Sequence, residues 1–187
     1  AVVKPFCVVS GGPGTGKTHT IAKILALLLE QAPAASLRIF LAAPTGKAAA
    51  RLGESLQSAR ESLACAPAVR AAMPAAAATL HRLLKAVPGS PYFRHHSENP
   101  LPADVVVVDE ASMVDLALMS KLLQALPESC RLILVGDRDQ LASVEAGAAL
   151  GDICGRGVAA EYSENLIRAA EQAAGESGSA ELLGHQH

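Results

Sequence analysis

Phe6-Cys7-Val8-Val9-Ser10-Gly11-Gly12-Pro13-Gly14-Thr15-Gly16-Lys17-Thr18 is the stretch that decides the fold. Its apolar half, Phe6–Ser10, is short and bounded by turn residues, as buried parallel strands are. Helical patterning follows over Lys17–Glu30, so Gly11–Thr18, which satisfies G-x-x-x-x-G-K-[ST], connects a strand to a helix. Gly11, Gly14 and Gly16 lack a Cβ, which lets the loop turn its N–H groups inward around phosphates, while the helix presents its positive end to them. The whole loop, Gly11, Gly12, Pro13, Gly14, Thr15, Gly16, Lys17 and Thr18, is therefore the expected nucleotide cradle. Lys17 suits the β- and γ-phosphates, and the Thr18 hydroxyl suits a magnesium ion. A glycine-rich turn without a ligand is the plain alternative, and the strand-then-helix context speaks against it.

Working outward, Val105–Val108 reads as a second buried strand whose carboxyl end delivers Asp109 and Glu110 to the rim where open α/β sheets bind ligands. Asp109 is expected to hold magnesium through water, and Glu110 to orient and deprotonate the attacking water. Two solvated acids at a strand end are the alternative. A third strand, Arg131–Gly136, runs into Asp137-Arg138-Asp139-Gln140-Leu141. The amide of Gln140 both donates and accepts hydrogen bonds, so it is the expected sensor of the γ-phosphate and the attacking water.

Arg38–Ala42 completes the strand pattern, and Gly46–Leu63 and Asp115–Ala125 the helical one, the latter opened by Ser112 in a variant capping box with Asp115. Alternating strands and helices predict a mainly parallel α/β sheet flanked by helices. Ala66–Asp104 breaks the rhythm. It offers a short helix near Leu80–Ala86 and then Pro88, Gly89, Pro91, Asn99 and Pro100, a small inserted hairpin or loop over about 88–100. Tyr92, Phe93, Arg94, His95 and His96 in that insert suit either a plain surface loop or a wedge that stacks on a base. Residues 1–154 are expected to form the core domain. Residues 155–187 are expected to be a tail with one helix, Ala159–Ala174, and a disordered Gly/Ser-rich end.

Composition sets the frame. The chain has 187 residues, 50% of them hydrophobic and 3% aromatic, enough for one core built of Ala, Leu, Val and Ile. No apolar run reaches the roughly 18 residues of a membrane span and no signal peptide opens the chain, so no membrane partner and a cytoplasmic location are expected. Cys7, Cys65, Cys130 and Cys154 are scattered and read as inert thiols. The net charge is -2, but its sign is segregated. Residues 38–95 hold eight basic and two acidic side chains, and residues 96–187 five basic and fifteen acidic. The basic segment suits a phosphate backbone or is an ordinary solvated face.

The blocks above, in their order, together with Leu41-Ala42-Ala43-Pro44-Thr45-Gly46-Lys47-Ala48-Ala49 and Thr79-Leu80-His81-Arg82-Leu83-Leu84, resemble superfamily 1 helicases of the RecD type. Asp109–Asp115 and Gly136–Cys154 resemble the members that assemble with other chains more than the free-standing ones. The resemblance covers about Phe6 to Cys154. It implies a RecA-like P-loop NTPase domain, ATP and Mg²⁺ as cofactors, and 5′-to-3′ movement on single-stranded DNA. It further implies RecB- and RecC-like partners in recombinational repair of double-strand breaks. By motif, Pro44, Thr45, Gly46, Lys47, Thr79 and His81 would contact the DNA strand. For Thr79 a helix N-cap, and for His81 a packed core position, are equally open. The family's second motor domain, the arginine it supplies and an upstream adenine-reading glutamine have no counterpart in these residues. A first motor domain cut from a longer helicase is therefore the expectation, inactive by itself. A small-molecule kinase would share the phosphate loop and magnesium but lacks the Gly136-to-Leu141 block. A nucleotide-responsive interaction module would bind without turnover.

Overall fold

The computed structural model describes residues 4–12, 14–32, 37–137 and 150. These belong to the first of two units into which the chain divides, Ala1–Cys154 and Gly155–His187. Pro13, Gln140 and the tail with its expected helix lie outside the described residues.

Five strands, β1 (Phe6–Ser10), β2 (Ile39–Ala43), β3 (Ala77–Thr79), β4 (Val105–Val108) and β5 (Arg131–Gly136), form one parallel sheet in the order β1-β5-β4-β2-β3. The β4 run of four valines has no polar alternation because both its faces are covered. Val105 and Val107 pack on one side with Ile21, Leu25, Leu52 and Leu56. Val106 and Val108 pack on the other with Leu80, Leu84, Leu118 and Leu122. The first set comes from α1 (Lys17–Gln31) and α2 (Gly46–Ser62), the second from α4 (Leu80–Leu83) with its C-cap Leu84 and from α5 (Leu116–Ala125).

Three features differ from the sequence expectation. The supposed arrhythmic segment contains α3 (Pro67–Ala72) and the strand β3, whose register on β2 pairs Ala43 with Thr79. An Ala-Ala-Thr strand carries no hydrophobic period and exists through that pairing. Second, Ser112 caps nothing. It is buried in a 3-10 turn, Ala111–Met113, where its Oγ has no hydrogen-bond partner, and Asp115 caps α5 by accepting from the Leu118 N–H at 2.7 Å. Third, part of the insert turns inward instead of lying on the surface. Isolated antiparallel bridges join Ala86 to Phe93 and His96 to Asn99. Phe93 packs on the core, and His95 is buried with its ring Nδ1 3.2 Å from the Asn99 carbonyl. Of the five aromatic and basic side chains only Tyr92, Arg94 and His96 face outward.

Among the described residues no helix is long and apolar enough to cross a membrane. Cys7, Cys65 and Cys130 are free, and burial pushes the Cys130 thiol up to about 11, which keeps it protonated and unreactive. Cys154 lies outside the described residues.

Candidate functional site

Because every strand is parallel, all five carboxyl ends reach one rim, and the turns leaving β1, β2, β3 and β4 carry the motif residues there. The β1 turn is held by its own chemistry. Gly14 and Gly16 take φ of 75° and 80°, the left-handed region that side chains disfavour. A Cβ on Gly11 would stand 2.7 Å from the Thr15 Oγ1, which itself donates to the Gly12 carbonyl at 2.9 Å. The Lys17 ammonium donates to the Gly11 and Gly12 carbonyls at 2.6 and 2.9 Å, so the loop wraps around it. The Gly11 N–H donates to the Gly136 carbonyl at 3.2 Å, which fixes the loop to the end of β5.

Gly136 is small for a reason. A Cβ there would meet Leu150 at 2.8 Å and the Ser112 N–H at 3.2 Å, because the turn after Glu110 packs on it. That turn begins with Glu110 at φ 51°, ψ 39°, a left-handed conformation costly for a non-glycine residue. It bends the chain away from β4 at the point where Asp109 has made the last ladder bond, its N–H donating to Ala42 at 2.9 Å.

The two acids and the loop meet. Gly14, Thr15, Gly16, Lys17, Thr18, Asp109 and Glu110 line one cavity of about 600 Å³, with the α2 residues Arg51, Ser55, Ser58 and Ser62 on another wall. Burial pushes the Asp109 carboxyl above its ordinary value, opposed by the Glu110 N–H and by the Lys17 charge. A desolvated carboxylate and a threonine hydroxyl lining one cavity are donors that fit Mg²⁺, which takes few protein oxygens and completes its shell with phosphate and water. The cavity volume lies in the range of small-molecule sites.

A smaller cavity of about 230 Å³ adjoins Asp109 and Glu110 and is lined by Thr45, Lys47, Ala48, Arg51 and Met113. Thr45 is the N-cap of α2, its Oγ1 accepting from the Ala48 N–H at 3.2 Å, and Gly46 and Lys47 are exposed beside it while Pro44 is half-buried. Thr79 caps α4 in the same way through the Arg82 N–H at 3.2 Å. The N-cap alternative is thus what its geometry displays. His81 is not a core residue. It is exposed, with its ring tilted against Phe93 at 5.7 Å between centroids. Arg51 is the residue that motif reading passed over. Its spacing of four from Lys47 was visible, but not that this face of α2 looks into both cavities.

Residues 1–146 match the family described as the AAA domain. The chain belongs to that family. Within it, the chain is 55% identical over 157 residues to the RecBCD enzyme subunit RecD of Mycolicibacterium smegmatis, a match covering 82% of this chain and 28% of the relative. Identity to the subunit RecD of Haemophilus influenzae is 49% over 157 residues, covering 82% and 24%. The ATP-dependent RecD2 DNA helicase of Deinococcus radiodurans is 43% identical over 143 residues, covering 76% and 17%. These matches bear out the resemblance to RecD-type helicases. The AAA domain chain spans about a quarter of the length of its RecD relatives.

Proposed function

We propose that this AAA domain is the ATP-binding motor domain of a RecD-type DNA helicase. In this reading it couples hydrolysis of ATP·Mg²⁺ to 5′-to-3′ movement on single-stranded DNA. The whole protein acts in the cytoplasm with RecB- and RecC-like chains in recombinational repair. The observation that carries the reading is the convergence of the phosphate loop, Asp109 and Glu110 on one cavity, next to a second cavity edged by Thr45 and Lys47. The 55% identity to the RecD subunit of Mycolicibacterium smegmatis, against 43% to RecD2, supports the multi-chain reading.

The roles follow from the chemistry. Loop N–H groups and the start of α1 hold the phosphates, and Lys17 adds a charge-assisted contact to the β- and γ-oxygens. Thr18 and Asp109 would hold Mg²⁺, which when bound neutralises phosphate charge and so assists departure of the terminal phosphoryl group. Glu110 takes the proton of the attacking water. Gln140 is assigned the γ-phosphate sensor by motif. Pro44, Thr45, Gly46, Lys47, Thr79 and His81 are assigned to the DNA strand. The exposed N-terminal turn of α2 supports that assignment for Gly46 and Lys47, since free helix N–H groups and an ammonium both suit a backbone phosphate.

The test is steady-state ATP hydrolysis by the whole protein with and without single-stranded oligonucleotide. Turnover that rises with oligonucleotide is expected. ATP turnover that ignores DNA and consumes a small-molecule acceptor would indicate a kinase. Binding without turnover would indicate a nucleotide-responsive module.

A further inference from the structure

Arg51 lies one helical turn beyond Lys47 on α2, and i, i+4 positions share a helix face. It is the only charged side chain that α2 contributes to the wall of the larger cavity; the others there are Leu52, Ser55, Ser58, Ala59 and Ser62. Arg51 stands at the end of that wall near the acids, since it also lines the smaller cavity with Asp109 and Glu110. From Arg51 to Ser62 the wall runs about 16 Å at about 1.5 Å per residue, long enough to flank an extended nucleotide. Among the described residues the Arg51 side chain makes no hydrogen bond or ion pair.

Resting on the nucleotide reading above, we infer that Arg51 is a triphosphate-sensing residue, binding the terminal phosphate from α2 while Lys17 binds it from α1. A planar guanidinium presents a fork that matches two oxygens of one phosphate, which an ammonium cannot do. The terminal phosphate is what a triphosphate has and a diphosphate lacks, so the contact favours ATP over ADP. It also ties two sites together. Arg51 and the strand-contact candidates Gly46 and Lys47 belong to the same helix, so a shift of its first turn on DNA moves the guanidinium in the nucleotide cavity.

The experiment uses the whole protein with Arg51→Ala and Arg51→Lys, with Lys17→Ala as control. Arg51 is exposed and alanine is a strong helix former, so the variants should fold, which thermal melting checks. Three affinities are measured: a non-hydrolysable ATP analogue with Mg²⁺, ADP with Mg²⁺, and single-stranded DNA without nucleotide. Arg51→Ala should weaken the triphosphate analogue about 10- to 100-fold, the span of a hydrogen bond to a charged group, and leave ADP and DNA affinity unchanged. Arg51→Lys should recover part of the loss. Loss of DNA affinity with triphosphate binding intact would make Arg51 a backbone-phosphate contact and overturn the inference. Equal loss for ATP analogue and ADP, or no change at all, would overturn it too. The control separates the two levels. If Lys17→Ala abolishes nucleotide binding while Arg51→Ala does nothing, only Arg51 is reassigned; if neither matters, the nucleotide reading itself fails.

Discussion

The Lys17 ammonium lies 2.6 Å from the Gly11 carbonyl oxygen, in a loop where Gly11, Gly14 and Gly16 could not carry side chains without strain. The lysine thus holds the loop together, and in the proposed function it also binds the phosphates. Lys17→Ala removes two charge-assisted donors at once, and nothing else in the loop carries a positive charge to replace them. Tight binding of ATP·Mg²⁺ should be lost by calorimetry. Undiminished affinity would remove the phosphate-site assignment.

Thr45, two residues past the end of β2, and Thr79, the last residue of the adjacent β3, each cap the helix that follows, so their substitution should be felt first in stability. Thr45→Ala and Thr79→Ala should each cost about 1 kcal/mol in urea unfolding, the usual value of a lost N-cap, and Thr→Ser should restore it. Each hydroxyl accepts a helix N–H and still has its own proton to donate, so a DNA contact is compatible with the cap. Measuring single-stranded DNA affinity on the same variants separates the roles. An unchanged unfolding midpoint in either alanine variant would contradict the capping geometry.

Away from the site, at the amino ends of the neighbouring strands β2 and β4, Arg38 and Asp104 form a bidentate pair with contacts of 2.8 and 3.0 Å, and the Arg38 N–H adds 2.7 Å to the same carboxylate. These bonds hold the Asp104 carboxyl down at about 2, against an ordinary 3.8. As pH falls the unfolded chain takes up the proton first. The stabilisation is therefore complete above about pH 4 and disappears as pH drops through about 2. Asp104→Asn should lower the urea midpoint at neutral pH by a modest amount, because both side chains meet solvent. The gap from wild type should close between pH 4 and pH 2. A gap that widens on acidification would be the wrong sign for this pair.

The sheet was legible wherever residues had to bury two faces. The Val105–Val108 run and the glycine spacing of Gly11–Gly16 announce strand and loop without ambiguity, because few other structures tolerate either. β3 was not legible, since its three residues carry no period and are strand only by pairing with β2. The inward turn of Phe93 and the burial of Ser112 against Gly136, which leaves the cap to Asp115, depend on contacts between segments distant in sequence. Arg51 belongs with these: its charge and spacing are in the sequence, but which way α2 rotates is decided by Leu52 and Leu56 packing under β4.

Glu110 offers the sharpest test of the proposed chemistry, because its left-handed backbone and the role proposed for its carboxylate are separable. The left-handed turn at φ 51° costs a non-glycine residue roughly 1–2 kcal/mol, and it persists because Ala111 and Ser112 are buried beneath Gly136. The turn brings Glu110 into the cavity beside Asp109. Glu110→Gln keeps the turn and the shape but cannot accept a proton, so ATP binding should persist while hydrolysis by the whole protein falls about 10²- to 10⁴-fold. Glu110→Gly should also be inactive, yet it relieves the backbone and should gain up to about 1 kcal/mol in unfolding free energy. Single-turnover hydrolysis and urea unfolding on the two variants read the two jobs independently. Near-normal turnover in Glu110→Gln would mean that another group takes the water's proton, whereas a destabilised Glu110→Gly would mean that the side chain, not the turn, holds this corner together.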